Sequence, residues 1–148
     1  MAKIIGINGR PVAYLCASKL ELNELVDGSR HYSKGESFVL LLDDSPQLAE
    51  RILPAYINAY IRYNEGGARA ASLQMEMLLF VSETMNIGKA IRECGAKNKS
   101  RFIVVANNGA NFVKFSKDCK VKKLKEYALR LNPDIAPAVS LAGISAES

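Results

Sequence analysis

The 148-residue sequence has one histidine, three cysteines and no apolar run approaching the roughly 18 residues that a membrane-spanning helix needs. Each scarcity closes a class of function. Without long apolar runs there is no helical span to expect. The N-terminal stretch MAKIIGINGR is too short, and too polar at its end, to read as a secretory leader. Cys16, Cys94 and Cys119 are odd in number and far apart, so they form neither a paired disulfide framework nor a CxxC ligand set. Three unpaired thiols suit a reducing compartment, and the cytoplasm is the expected location. With His31 as the sole imidazole, no histidine-based metal set is available. No Cys or Ser stands beside a base and no carboxylates have metal spacing, so the residues name no catalytic group, no metal site and no cofactor. Asp43-Asp44, the one acidic pair worth testing for metal, precedes Ser45-Pro46 and reads as helix-start acid.

What is present is an apolar share of 49%, enough for one folded domain, and a lopsided charge. The formal net charge is +5. From Thr84 to Leu131 the acids are only Glu93, Asp118 and Glu126, against twelve lysines and arginines. The front half is near neutral or acidic. Such asymmetry suits an anionic partner, RNA first, and equally suits a solvated, salt-laced surface.

Periodicity places the elements. Lys3 to Ile7 and Val12 to Cys16 read as a hairpin across Asn8-Gly9. Ser18 to Val26 reads as a short helix, and Asp27 to Gly35, which carries His31, as a loop. Phe38 to Leu42 is an unbroken apolar run and reads as a buried strand. Ser45-Pro46 opens a helix with Leu48, Ile52, Tyr56 and Tyr60 on its buried face. Pro54 is expected to break or kink it. Ala68 to Cys94 reads as two helices end to end, capped by Ser72 and Asn86, broken at Ser82-Glu83-Thr84 and stopped by a left-handed Gly95. Arg101 to Ala106 and Asn111 to Phe115 read as a second hairpin across Asn107-Asn108-Gly109. Val121 to Leu131 reads as a final amphipathic helix with Lys122, Lys123 and Lys125 outward. Gly66-Gly67 lacks phosphate-loop spacing, so no nucleotide pocket is expected there. The expected architecture is mixed α/β (α+β): a small, mostly antiparallel sheet with helices packed around it. One domain would cover 1–133, with a loose tail over 134–148.

The paired-helix stretch carries a resemblance. Ser72-Leu73-Gln74-Met75-Glu76-Met77-Leu78-Leu79-Phe80-Val81-Ser82, followed by Glu83-Thr84-Met85-Asn86-Ile87-Gly88-Lys89-Ala90-Ile91, resembles the signature of the small kinase-binding subunit of the KEOPS complex, the PRPK-binding-protein family. Glu76, Leu78, Leu79, Ser82, Ile87, Ala90, Ile91 and Gly95 fall in register with it. Ala55-Tyr56-Ile57-Asn58-Ala59-Tyr60 is similar to the family's alanine-rich helix, and Gly28-Ser29-Arg30-His31 to an element of its archaeal members. Where the family has Arg-Gln before the Ile, this chain has Met85-Asn86, so the role of that arginine does not carry over.

The resemblance implies a non-catalytic subunit that docks on the kinase-like ATPase of KEOPS and supports threonylcarbamoyl-adenosine modification of tRNA by gripping the tRNA 3′ end. The tRNA surface would take Arg69, Met85, Asn86, Lys89, Arg92, Lys97 and Lys99: cations on phosphates, Asn86 and the edge of Met85 on an unpaired base. The partner surface would take Ala55, Ala59, Ile87 and, on the last helix, Lys123. Two other readings stand beside it. One is an adaptor of the kinase-like subunit that binds no RNA. The other is a small enzyme with a site near His31 and Arg30.

Overall fold

Seven residues, Val12–Ser18, form β1, with Ala13, Leu15 and Cys16 buried, and the rest of the sheet is ordered against it. The computed structural model describes residues 11–34, 36–66 and 72–129. In chain order the other elements are α1 (Leu22–His31), β2 (Val39–Asp43), α2 (Pro46–Asn64), α3 (Leu73–Ser82), α4 (Ile87–Cys94), β3 (Phe102–Ala106), α5 (Gly109–Asp118) and β4 (Val121–Tyr127). The strands lie in the order β2-β3-β1-β4, every neighbouring pair antiparallel. This is the expected mixed α/β class. β3 lies between β1 and β2, so β1-α1-β2 and β3-α5-β4 interlock as split βαβ units, with α2, α3 and α4 inserted between them.

The two sheet faces carry two cores. Leu40, Leu42, Ile103 and Val105 point into α2, α3 and α4, where Ile52, Tyr56, Leu73 and Met77 meet them. Val39, Leu41, Phe102 and Val104 point the other way, against Leu25 of α1 and Phe112 and Phe115 of α5. β2 and β3 are buried on both faces, which is why each reads as an unbroken apolar run. Two buried amides tie the layers. Asn107 Oδ1 accepts from the Phe38 N–H at 2.8 Å, and Gln74 Nε2 of α3 donates to the Val39 carbonyl.

Several elements differ from expectation, each for a local reason. The proposed hairpin strand at 111–115 is α5: Asn108 caps it by accepting from the Asn111 N–H, and Phe112, Phe115 and Cys119 bury at helical spacing. The proposed last helix is β4. Its register against β1 pairs Cys16 with Lys123 but Leu15 with Lys125, which leaves Leu124 as a bulge. The bulge switches odd-numbered residues from one face to the other. Val121 packs on the α1/α5 core and Tyr127 on the opposite one, so a strand carries apolar residues every third position and mimics a helix.

The first helix lies further on than expected, opened by a Glu21–Glu24 capping box and continuing through Gly28 to His31. A side chain at Gly28 has no room, because a Cβ there would meet Cys119 Sγ at 2.5 Å. Pro54 does not break α2; it is buried inside a continuous 19-residue helix, with its missing N–H falling opposite the exposed Glu50. Gly95 is extended (φ −69°), not left-handed. Asp43 and Asp44 precede the α2 cap and pair with Lys97 and Arg101 rather than sitting in the first turn. The strand at Lys3–Ile7, its Asn8-Gly9 turn, Arg69 and the segment 134–148 lie outside the described residues.

Candidate nucleic-acid interface

The joint between α3 and α4 is built by caps on both sides. Glu83 ends α3 in the left-handed conformation (φ 60°), and Arg51 of α2 donates to the Val81 carbonyl at 3.1 Å, meeting one of the acceptors a helix end leaves open. Asn86 opens α4: its Oδ1 accepts from the Lys89 N–H at 2.9 Å, and its own N–H donates to Thr84 Oγ1. Met85 is carried outward between the two caps and is 59% exposed. Ile91, at the start of the second turn of α4, is also an exposed large apolar residue.

Around this knuckle the cations sort into two groups. Lys89 and Arg92 are exposed and make no ion pair among the described residues. A Cβ placed on Gly88 would stand 3.3 Å from Asn86 Oδ1 and 3.5 Å from Arg92 Nη1. The Arg92 guanidinium therefore folds back over bare glycine backbone toward the cap. It supplies an arginine beside the joint although position 85 holds methionine.

Lys97 and Lys99 belong to the other group. Lys97 Nζ lies 3.7 Å from Asp43 Oδ2 and donates to the Glu93 carbonyl; Lys99 Nζ lies 3.0 Å from Glu21 Oε1. Arg101 is held by Asp44 at 2.9 Å. These pairs stitch the loop after α4 to β2 and α1, and they neutralise charge that sequence reasoning had reserved for phosphates. Of the seven residues expected on RNA, Met85, Asn86, Lys89 and Arg92 thus meet at one place, Lys97 and Lys99 turn to acids, and Arg69 is not described.

The residues expected on a protein partner do not converge. Ala55 and Ala59 are 4% and 0% exposed, inside the α2 core, and offer a partner no surface. Ile87 is half-buried against that same core beneath the joint. Lys123 lies on β4, its ammonium 4.6 Å from the Tyr14 ring centroid. His31 is exposed in the last turn of α1, edge-on to Tyr32, whose hydroxyl donates to Asp118. That hydrogen bond and the Asp118 charge raise the Tyr32 pKa.

Glu76, one of the positions in the family-like stretch, is 1% exposed in α3 with Arg62 4.0 Å away, and Arg62 also stacks 5.0 Å from the Phe80 ring centroid. It holds α2 to α3 rather than facing a ligand. Burial pushes the Cys16 thiol up to about 12, against a smaller lowering by Lys123, and burial likewise raises Cys94 and Cys119. These thiols are protonated near neutral pH and poor nucleophiles. Among the described residues no three His, Cys, Asp or Glu side chains gather as a metal set, and no helix is long and apolar enough to cross a membrane.

Residues 48–135 match the family model described as "Kinase binding protein CGI-121", a span that runs from α2 through β4 and contains the whole joint. No curated protein matches the chain.

Proposed function

The chain belongs to the CGI-121 family of kinase-binding proteins, and we propose that it is a non-catalytic KEOPS subunit that docks on the kinase-like ATPase and presents the tRNA 3′ end for threonylcarbamoyl-adenosine modification. The observation that carries the RNA half is the α3–α4 joint. There an exposed thioether, an exposed amide and two cations with no ion pair among the described residues surround the N-terminus of α4. First-turn amides and a helix dipole favour a phosphate, Lys89 and Arg92 add charge, and Met85 offers a flat apolar edge to an unstacked base. Exposed Ile91, with half-buried Ile87 on the same helix, is the part of this surface suited to a protein partner.

Binding of purified protein to whole tRNA and to tRNA lacking its single-stranded 3′ end, across a salt series, tests this. The reading requires whole tRNA to bind and the truncated form to bind several-fold more weakly, with Arg92→Gln removing most of the difference. Equal binding of both forms overturns end recognition. A specific observation favours a second reading, an adaptor without RNA affinity: Lys97 and Lys99 are neutralised by Asp43 and Glu21. Absence of binding to either RNA at low salt, with capture of the kinase-like subunit intact, selects it.

A further inference from the structure

Among the described residues the largest block of positive charge without ion pairs lies away from the α3–α4 joint. Between Gly109 and Tyr127 the chain has Lys114, Lys117, Lys120, Lys122, Lys123 and Lys125 against Asp118 and Glu126. All six lysines are exposed, and none forms an ion pair among the described residues. Asp118, next to Lys117, accepts from the Tyr32 hydroxyl, and Glu126, next to Lys125, is exposed.

Among the described residues β4 is an edge strand of the sheet, and it is exposed over Lys122 to Glu126. In a regular strand residues 122 and 125 would face opposite ways. The Leu124 bulge puts both on the α2–α4 side, opposite Ala17 and Leu15, while Lys123 stays on the other side opposite Cys16. The edge is therefore rimmed by ammonium groups on both faces. Two of them are positioned by aromatic rings, which hold a cation without cancelling it: Lys123 over Tyr14, and Lys125 5.3 Å from the Tyr127 centroid. Lys114 and Lys117 extend the charge along α5 beside exposed Val113.

This face lies across the sheet from the end of α4. The end of α4 is fastened to the opposite edge, where Gly95 bridges Leu42 of β2. Three strand spacings, about 14 Å of sheet, lie between β2 and β4.

We propose that the β4–α5 lysine face is a second RNA contact that holds phosphate backbone independently of base identity, while the α3–α4 joint holds the single-stranded end. The inference rests on the RNA reading above and assigns that RNA a second surface. It moves Lys123 from the protein partner to the nucleic acid. Backbone contact by scattered ammonium groups carries no sequence information but sets affinity and salt dependence, with each phosphate neutralised adding about 0.7 to 0.9 to the slope of log affinity against log salt.

The test uses the full chain, with whole tRNA and tRNA lacking its 3′ end as probes. A Lys122→Gln, Lys123→Gln, Lys125→Gln triple variant should bind both RNAs about tenfold or more weakly and lower the salt slope by roughly 2 to 3. A Lys114→Gln, Lys117→Gln double variant, which leaves the sheet intact, should lower it by roughly 1 to 2. A Lys→Arg triple at 122, 123 and 125 should bind like the parent.

Binding by the parent with unchanged slope in both Gln variants overturns the proposal and leaves the joint standing. So does a Gln triple that self-associates while binding RNA normally, because the lysines would then serve to keep strands from adding to an open edge. Loss of binding in the Arg triple equal to that in the Gln triple overturns the charge argument. Failure of the parent to bind either RNA at low salt overturns this proposal and the RNA reading together.

Discussion

Gly95 lies so close beneath the end of α4 that a Cβ on it would stand 2.6 Å from the Ile91 carbonyl oxygen. That carbonyl is already engaged by the Gly95 N–H at 2.9 Å. Sequence logic chose glycine here for a left-handed stop, but φ is −69°, a value any residue adopts. The requirement is steric. Two substitutions separate the explanations. A left-handed stop would tolerate Asn better than Ala. A close approach rejects both, and we expect Gly95→Ala and Gly95→Asn each to cost about 1 to 3 kcal/mol in denaturant unfolding. A much milder effect for Asn would restore the left-handed explanation.

The reverse situation holds at Glu83, a non-glycine residue at φ 60°. Left-handed backbone costs an ordinary residue about 1 to 2 kcal/mol, partly returned by the extra unfolded-state freedom of the glycine that would relieve it. The Arg51–Glu83 pair, 3.8 Å apart with Glu83 71% exposed, contributes at most a few tenths. Glu83→Gly is therefore expected to raise stability by about 0.5 to 1 kcal/mol, and Glu83→Ala to leave it level or lower it. A Gly variant less stable than the Ala variant would show that the ion pair outweighs the backbone.

What was legible in the sequence follows from how local each signal is. Ser72 and Asn86 cap the helices they were expected to cap, and Ser45-Pro46 opens the helix it was expected to open, because a helix start is decided within four residues. β2 and β3 were legible because a strand buried on both faces has only apolar residues. Asn107-Asn108-Gly109 misled because Asn serves hairpin turns and helix caps equally well, and the choice was made by Phe112 and Phe115 joining Leu25 in the core on one face of the sheet. β4 misled because one bulged residue converts a period of two into an apparent period of three. The neutralisation of Lys97 and Lys99 was not legible at all: Lys99 and Glu21 are 78 residues apart, and only the fold brings them together.

Alkaline pH should weaken this protein through its thiols. Burial raises the Cys16 pKa from 9.0 to about 12. A folded-state pKa above the unfolded value means that stability is fully present below pH 9 and is withdrawn as pH rises toward 12. The loss is about 1.4 kcal/mol per unit from this group. Cys94 and Cys119 shift in the same direction. Between pH 8 and 10.5 the parent should lose about 2 kcal/mol more than Cys16→Ala in urea unfolding, even though the variant starts lower. Parallel losses would mean that Cys16 ionises without penalty, and that the strand pair around it admits water.

Asn86 has two candidate duties, and they can be pulled apart. Its Oδ1 is engaged as the α4 cap, accepting from the Lys89 N–H, while its side-chain N–H groups have no partner among the described residues and stand exposed beside Met85 and Arg92. Serine keeps the cap oxygen but removes the amide donors; alanine removes both. Asn86→Ser should stay within a few tenths of a kcal/mol of the parent, whereas Asn86→Ala should lose about 1 kcal/mol. If the amide meets an unpaired end base, Asn86→Ser should bind whole tRNA several-fold more weakly while its affinity for tRNA lacking the 3′ end is unchanged. Binding in Asn86→Ser equal to the parent, with a loss confined to Asn86→Ala, would assign the residue to the helix alone and leave end recognition to Met85, Lys89 and Arg92.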